Sequence, residues 1–224
     1  MNSIAINTRS TTVKGQFGYK NNLLATCLAV SAALILSACA TPQPPAPKAV
    51  YDFGPVLSMP ALAASTASST RQLTVALPEI EAGAGLDSAA LLYRLQYADG
   101  QQLRPYAQAR WSVPPAQLVR ARLRDALAQQ MNVLSTEGIT PWVLRVELDE
   151  FSQLFASPES SQGLVRLRVS LLSNDKLTAQ TSIIARANAP SQDAAGGVRA
   201  LTAATDDAVR QVSVWLAAQW PRTP

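Results

Sequence analysis

The sequence has 224 residues, no histidine, two cysteines, and a charged fraction of only 15%. Without histidine, Ser–His and Cys–His pairs cannot activate a nucleophile, and the commonest side-chain ligand of transition metals is missing. No Gly-x-x-x-x-Gly-Lys motif occurs, so ATP hydrolysis would have to be supplied by a partner protein. We therefore expect no catalytic residue, cofactor site or metal site in this chain.

The amino-terminal 38 residues have the three parts of a secretory signal peptide, in the required order. The basic residues Arg9, Lys14 and Lys20 come first, and an apolar run from Leu23 to Leu36 follows. This run is shorter than the roughly 20 residues that cross a bilayer as a helix, and no charged stop-transfer cluster comes after it. We predict a cleaved signal peptide over residues 1–38.

A four-residue motif ends this segment. Leu36-Ser37-Ala38-Cys39 resembles the lipobox of bacterial lipoproteins. The resemblance implies cleavage before Cys39, a diacylglyceryl group on its thiol, and acylation of the new amino terminus. Because each buried methylene contributes about 0.8 kcal/mol, two or three acyl chains would hold the protein to a membrane almost permanently. Ala40 stands where lipoproteins retained in the inner membrane usually carry Asp, so we expect the periplasmic face of the outer membrane.

Cleavage changes the charge and the thiol content of the mature protein. It removes three of the 19 basic residues and none of the 15 acidic ones, so the mature chain is close to neutral. A nucleic-acid-binding domain needs a basic patch, which argues against such a partner. Cys27 would be removed and Cys39 blocked by lipid, so no disulfide can form within the mature chain.

The mature chain divides into a tether and one domain. Residues 39–49 contain the lipidated cysteine and a proline-rich stretch, which predicts an extended spacer between membrane and domain. Residues 50–220 have a length that suits one domain with its own core. Within them, residues 61–70 are rich in Ala and Ser and indicate a flexible loop.

Alternating apolar and polar residues predict seven strands. These are Tyr51–Leu57, Gln72–Leu77, Leu91–Tyr97, Gln102–Trp111, Trp142–Phe151, Leu164–Leu172 and Thr178–Ala187. Asp99-Gly100 predicts a hairpin turn between the third and fourth strands, and Asn174-Asp175 a turn between the last two. In the fifth and sixth strands, one face is apolar and the other carries charges.

Two segments have a helical period instead, about Pro114–Asn132 and Asp193–Gln219. The apolar positions are Leu118, Leu123, Leu127 and Met131 in the first segment, and Val198, Leu201, Ala208, Val212 and Trp215 in the second. Arg120, Arg122 and Arg124 are expected to project away from the first apolar stripe. The pattern as a whole predicts a single α+β domain, in which two helices pack on one face of an antiparallel or mixed sheet.

The hairpin and the helix after it carry a family resemblance. Leu91-Leu92-Tyr93-Arg94, Leu103-Arg104-Pro105-Tyr106, and Ala109 to Pro115 resemble the ABC-type transport auxiliary lipoprotein family, which includes the Pqi-type lipoproteins. Tyr51 to Pro55 fits the first strand of that family, although Phe53 replaces the more usual Leu.

The resemblance implies a non-catalytic component of an ABC transport system. The implied partners are an MCE-domain substrate-binding protein and the ABC permease and ATPase of the same system, which move lipids or other hydrophobic compounds between membranes. Membrane lipid would be contacted through the acyl anchor. The sequence leaves open whether the domain forms a homo-oligomer, and which compound is transported in which direction.

Some of these residues allow other interpretations. Glu147, Asp149 and Glu150 contain a candidate carboxylate pair for glycan hydrolysis, but a solvated strand face with Asp149 near Arg168 is favoured. Tyr93, Tyr97, Tyr106 and Trp111 could form a stacking surface for sugar or lipid, although alternation places at least half of them in the core. Gly83 to Ser88 is interpreted as a loop, because a hairpin follows it. A structural outer-membrane lipoprotein that plugs or chaperones a β-barrel remains the alternative function.

Overall fold

The computed structural model describes residues 47–55 and 73–219. The predicted signal peptide, Cys39, nearly all of the tether and the segment 61–70 lie outside these residues. From Pro47 onward the chain forms one compact unit.

The described residues form an α+β domain with a mixed nine-stranded sheet and three helices, two of them long. The strands are β1 (Ala49–Tyr51), β2 (Thr74–Ala76), β3 (Glu81–Ala82), β4 (Ala90–Leu95), β5 (Gly100–Trp111), β6 (Asn132–Leu134), β7 (Trp142–Ser157), β8 (Ser160–Ser173) and β9 (Lys176–Asn188). The helices are α1 (Gln96–Asp99), α2 (Pro115–Leu127) and α3 (Ala194–Gln219).

The long strand β7 organises the sheet. Along one edge it pairs antiparallel with β8, which in turn pairs antiparallel with β9. Along the other edge β2, β3 and β4 follow one another, each parallel to β7, through the pairs Ala76↔Val143, Glu81↔Glu147 and Tyr93↔Gln153. Beyond them, β6 pairs with β2, β5 with β4, and β1 with β5.

Alternation in β7 and β8 behaves as predicted. Leu144, Val146 and Leu148 are buried, as are Leu167, Val169 and Leu171 on β8, while the charged residues between them are exposed or half-buried. The turn between β8 and β9 is also confirmed. Asn174 and Asp175 both have positive φ, 50° and 62°, as a two-residue turn with right-handed twist requires.

The predicted hairpin of β4 and β5 is confirmed, but its turn differs. Tyr97 belongs to the one-turn helix α1, not to the strand, and Gly100 has φ −69° rather than a positive value. Because α1 makes the reversal, the Asp99-Gly100 pair is not the hairpin turn that we predicted. The remaining strands are longer or shorter than predicted. For example, β1 ends at Tyr51, so Phe53, predicted to lie in this strand, is in an irregular segment.

Helix α2 is shorter than predicted, and a short strand follows it. Pro115 begins the helix, which ends at Leu127, and Asn132 to Leu134 then form β6 beside β2. The Asn132 N–H donates to the Leu73 carbonyl at 2.7 Å, and the Leu77 N–H donates to the Leu134 carbonyl at 2.7 Å. Asn132, the last residue of the predicted helix, is thus part of the sheet and not of α2.

Helix α3 packs over β8 and β9, and α2 packs along α3. Both helices contribute to a single core whose fully buried members include Trp111, Phe151, Val119 and Leu201. The approach of α3 to the sheet is very close, since a Cβ on Gly163 would lie 2.6 Å from the Ala200 backbone. Gly163 is therefore required by packing on α3.

Two of the predicted helix faces need correction. Leu118 and Trp215 are only partly buried, whereas Arg122, predicted to project outward, is 7% exposed. In α2, Arg122 lies three residues after Val119 and four before Ala126, both buried, so it belongs to the inner stripe. The prediction that Arg122 projects outward with Arg120 and Arg124 is therefore wrong.

Candidate functional site

The carboxylates considered for catalysis are all engaged in ion pairs with arginines. Arg168 Nη1 lies 3.0 Å from Glu147 Oε2, and Arg168 Nη2 lies 3.3 Å from Asp149 Oδ2. Glu150 pairs with Arg94 at 3.2 Å and accepts a 2.7 Å hydrogen bond from the Ser152 hydroxyl. The predicted proximity of Asp149 and Arg168 is confirmed. Glu147 lies on a solvated, charge-paired strand face, whereas the Glu150 side chain is only 14% exposed.

The aromatic residues do not form a common surface. Trp111 is fully buried and packs edge-on against Phe53 and Phe151, with ring centroids 5.6 Å apart in both contacts. Tyr97, by contrast, is 49% exposed on α1. Tyr93 and Tyr106 pack against each other with centroids 4.7 Å apart. Packing is therefore the main role of this group.

A polar chain lies beneath these tyrosines. The Tyr106 hydroxyl donates to Gln153 Oε1 at 2.8 Å, and Gln153 Nε2 donates to the Ser161 hydroxyl at 2.7 Å. Burial raises the pKa of Tyr106, with smaller contributions from Tyr93 and Asp193. The hydroxyl therefore stays protonated and serves as a structural donor.

The glycine-rich segment is a loop, as predicted. Ala84–Leu86 form a single 3-10 turn, closed by a 2.7 Å hydrogen bond from the Leu86 N–H to the Gly83 carbonyl. The side chain of Leu86 is buried, and the segment leads into β4. Its geometry is that of a connection which anchors one apolar side chain.

The feature that sequence analysis missed is a junction centred on Arg122. Arg122 Nη2 donates to the Phe53 carbonyl at 2.9 Å, and its Cζ lies 5.7 Å from the centre of the Phe53 ring. Its Nε lies 3.0 Å from Asp206 Oδ1, an ion contact without the angle of a hydrogen bond. One side chain of α2 thus joins the segment after β1 to the middle of α3.

Asp206 is half-buried at this junction. Burial raises its pKa, while the positive charges of Arg122 and Arg210 act in the opposite direction. The junction therefore places a partly desolvated carboxylate beside a buried guanidinium, and each depends on the other to offset the cost of burial.

A cleft of about 530 Å³ opens beside this junction. Its walls are the segment Val50–Gly54 and the first half of α3, with Ser112 at one end. The α3 residues that line it are Val198, Arg199, Thr202, Ala203 and Asp206. Its surface combines apolar area with two acidic groups, Asp52 and Asp206, and one basic group, Arg199. Its volume suits a short peptide segment or a small molecule.

A second, smaller concavity of about 150 Å³ lies on the other side of Phe53, against α2. The segment between the two is held in a turn, in which Gly54 has φ 66° and its N–H donates to Asp52 Oδ1 at 2.8 Å. The residues after β1 therefore form a ridge with a concave surface on each side. We take the larger cleft and this ridge as the candidate docking site.

Neither a metal cluster nor a spanning helix occurs in the part of the chain that the structure describes. Over residues 47–55 and 73–219, no group of three or more His, Cys, Asp or Glu side chains could hold a metal ion. No helix within the same ranges combines the length and the apolar character needed to cross a bilayer.

Comparison with known proteins decides the family. The ABC-type transport auxiliary lipoprotein component family matches this chain over residues 56–213. The chain belongs to this family. The resemblance seen in the hairpin and in the following helix is thereby confirmed, whereas the segment Tyr51–Pro55 lies just before the matched region.

Two solved structures have a similar fold at low sequence identity. A crystal structure of a Xanthomonas campestris protein has a TM-score of 0.59 at 16% identity, covering 66% of this chain and 86% of its own. The crystal structure of an uncharacterised protein has a TM-score of 0.55 at 12% identity, covering 76% of this chain and 99% of its own. A minor lipoprotein from Acinetobacter baumannii matches at 10% identity with a TM-score of 0.40, covering 65% of this chain and 92% of its own. No curated protein sequence matches this auxiliary lipoprotein.

Proposed function

We propose that this auxiliary lipoprotein is a non-catalytic docking component of an MCE-type ABC transport system that moves lipids or other hydrophobic compounds between membranes. Its anchor is the lipidated Cys39, on the periplasmic face of the outer membrane. The family match to a transport auxiliary component carries the proposal. Ion pairing of Glu147, Asp149 and Glu150 supports a non-catalytic role, because each carboxylate is already engaged by an arginine within 3.3 Å.

The position of the cleft relative to the anchor supports its use for docking. The proline-rich residues between Cys39 and β1 would span roughly 30 Å if extended, at about 3.1 Å per residue. The chain then enters β1 at the edge of the sheet and forms the wall of the cleft within the next five residues. A lipid anchor on Cys39 would therefore hold the cleft close to the membrane, where a conduit from the inner membrane would end.

Filling the cleft tests the docking site. Ala203 is exposed on its α3 wall, so Ala203→Arg should fill the cleft without disturbing the core. Tagged full-length lipoprotein is cross-linked in membranes and purified, and the recovered proteins are identified by mass spectrometry. We expect an MCE-domain protein and ABC components with the wild type, and at least tenfold lower recovery with Ala203→Arg.

Ala217→Arg is the matched control, because it makes the same substitution at an exposed position of the same helix, outside the cleft. Recovery should match that of the wild type. If both variants recover the MCE-domain protein normally, the cleft is not the docking site. If the wild type recovers no transport component at all, the transport role is wrong.

The alternative is a structural outer-membrane lipoprotein that plugs or chaperones a β-barrel. The lipid anchor and the proline-rich spacer fit either function. Recovery of a barrel protein without any MCE or ABC component would favour this alternative over our proposal.

The anchor has its own test. Cys39→Ser should give an uncleaved precursor that takes up no labelled palmitate, because the thiol that receives the lipid is gone. Fractionation of the wild type should place it with the outer membrane, and Ala40→Asp should shift it toward the inner membrane. Equal palmitate labelling of wild type and Cys39→Ser would contradict lipidation at this residue.

A further inference from the structure

The outer edge of β1 borders the larger cleft. The Tyr51 carbonyl accepts a 2.7 Å hydrogen bond from the Ser112 N–H, so the backbone groups of Tyr51 are directed at β5. Successive residues of a strand direct their backbone groups to opposite edges, so those of Val50 and Asp52 point away from β5. Both residues line the cleft. Within the described ranges, no strand pairs with this edge of β1.

Helix α3, the other wall of the cleft, carries one charge of each sign. Arg199 and Asp206 are seven residues apart, which is about 10 Å along the helix axis. Arg199 Nη2 donates to the Ser191 hydroxyl at 3.0 Å. Asp206 has the ion contact with Arg122, but its Oδ1 accepts no hydrogen bond from the part of the chain that the structure describes. Because the Asp206 side chain is still 42% exposed, a cationic donor that enters the cleft can reach it.

We propose that the cleft binds a short extended peptide segment of the transport partner, which adds to the edge of β1 as a further strand and carries Lys or Arg opposite Asp206. This rests on the proposed function, in which the cleft docks that partner. An added strand supplies backbone donors and acceptors to Val50 and Asp52 at the strand repeat. Pro47 and Pro55 flank this edge, so the added strand is short.

The walls of the cleft favour a peptide over an acyl chain. An acyl chain has no hydrogen-bonding group, so it would bury the outward backbone groups of Val50 and Asp52 without partners. It would also desolvate Asp206 without supplying a positive charge. A peptide satisfies the backbone groups and the carboxylate, and its apolar side chains can pack on Val50, which is 52% exposed. Arg199 repels a second cation at its end of the cleft, which helps to fix the register.

A proline at position 50 tests strand addition. Val50→Pro removes an N–H that points at the cleft, and it removes no hydrogen bond between β1 and β5, so an edge strand should tolerate it. Tagged full-length lipoprotein is cross-linked in membranes and purified, and the MCE-domain protein is quantified. We expect at least tenfold lower recovery with Val50→Pro and an unchanged melting temperature.

Val50→Ala is the matched control, because it shortens the same side chain and keeps the N–H. Its recovery should stay within about twofold of the wild type. Equal recovery with Val50→Pro and Val50→Ala would overturn strand addition and leave the transport role standing. A wild type that recovers no transport component would overturn the proposed function, and this proposal with it.

A photo-reactive side chain identifies what occupies the cleft. A diazirine-bearing lysine analogue replaces Arg199, which is exposed at one end of the cleft and similar in size. The same analogue at Arg210, exposed on α3 outside the cleft, is the control. We expect an adduct from position 199 with one short segment of the MCE-domain protein that contains Lys or Arg, and none from position 210. A lipid adduct, or no adduct at position 199, would overturn the proposal.

Hydrogen exchange gives the direct test of the added strand. A synthetic peptide with the sequence of the cross-linked segment is added to the full-length lipoprotein in detergent. Exchange of the Val50 and Asp52 amides should become at least tenfold slower, while that of Tyr51, which faces β5, should not change. The same peptide with its Lys or Arg replaced by Glu should bind at least tenfold more weakly, because it would face Asp206. Unchanged exchange at Val50 and Asp52 would overturn strand addition even if the peptide binds.

Discussion

The two halves of this domain hold their strands in place by different means. β7, β8 and β9 are long, follow one another in sequence, and pair antiparallel through tight turns. β1, β2, β3 and β6 have only two or three residues each, and they lie parallel to strands far away in the chain. In the carboxyl-terminal half, hydrogen bonds between consecutive strands fix the strand register. In the amino-terminal half, the short strands also depend on contacts with other parts of the chain.

Much of that support comes from arginines of α2. Arg120 Nε donates to the Pro78 carbonyl at 2.9 Å and its Nη2 to the Leu77 carbonyl at 3.1 Å, just after β2. Arg122 donates to the Phe53 carbonyl, just after β1. Guanidinium groups thus satisfy backbone acceptors that a longer strand would satisfy by pairing. The difference shows that a short parallel strand can be held by side chains from a helix.

The largest expected effect is in the carboxyl-terminal half, where α3 meets the sheet. Gly163→Val should lower the free energy of unfolding by about 3 kcal/mol or more, because its Cβ would lie 2.6 Å from the Ala200 backbone. Gly85→Ala is the control, with no heavy atom within 4 Å of the added Cβ. Thermal and urea unfolding of both variants would measure this difference in stability. Equal stability would mean that α3 does not approach β8 so closely.

The next effect is in the amino-terminal half. Arg122→Ala should cost about 2 to 4 kcal/mol, since it removes the hydrogen bond to the Phe53 carbonyl and leaves Asp206 half-buried without its main cation. Arg124→Ala, two residues away and exposed, should stay within about 0.5 kcal/mol. Urea unfolding compares the two, and similar losses would argue against a special role of the junction.

A smaller effect is expected at the end of α3. Trp215 is only partly buried, so Trp215→Ala should cost about 1 to 2 kcal/mol, less than the 3 to 5 of a fully buried aromatic residue. Leu216→Ala, at a fully buried neighbour, should cost about 2 to 5 kcal/mol. Melting temperatures of the two variants give the ranking. The reverse order would mean that the Trp215 ring lies deeper in the core.

The smallest effect concerns the start of α3. The Gly196 N–H donates to Asp193 Oδ1 at 2.7 Å, so Asp193→Ala should cost about 1 kcal/mol at neutral pH. That hydrogen bond is the main cause that lowers the pKa of Asp193. The contribution is therefore present above its ordinary pKa of about 4 and is lost as the pH falls through the lower, folded value. Unfolding curves of wild type and variant should converge in acid, and a gap that persists there would exclude this origin.

Sequence patterns predicted the carboxyl-terminal half well because its structure is local. The alternation in β7 and β8, the positive-φ turn at Asn174-Asp175, and the start of α3 near Asp193 depend on neighbours in the chain. The amino-terminal half was harder to predict. The sequence around Asn132–Leu134 does not indicate a strand, because β6 is extended only through its pairing with β2.

The candidate site shows the same division. Its ridge, Asp52–Gly54, falls within the first predicted strand but is irregular in the structure. The cleft exists only because α3 returns beside this ridge from about 150 residues later in the chain. Arg122 could have been singled out by its spacing from Val119 and Ala126, whereas its partners could not, since Phe53 and Asp206 lie on separate elements.

The sequence by itself determined the α+β class, the long antiparallel strands, the two main helices and the family, since each depends on periodicity, turn residues or a linear motif. Only the tertiary structure decided that β2, β3 and β4 follow one another along β7, and that an arginine of α2 is buried against a ridge and α3. The physical reason is that a parallel strand or a buried ion contact is stabilised by groups distant in sequence, and local sequence patterns do not identify these groups.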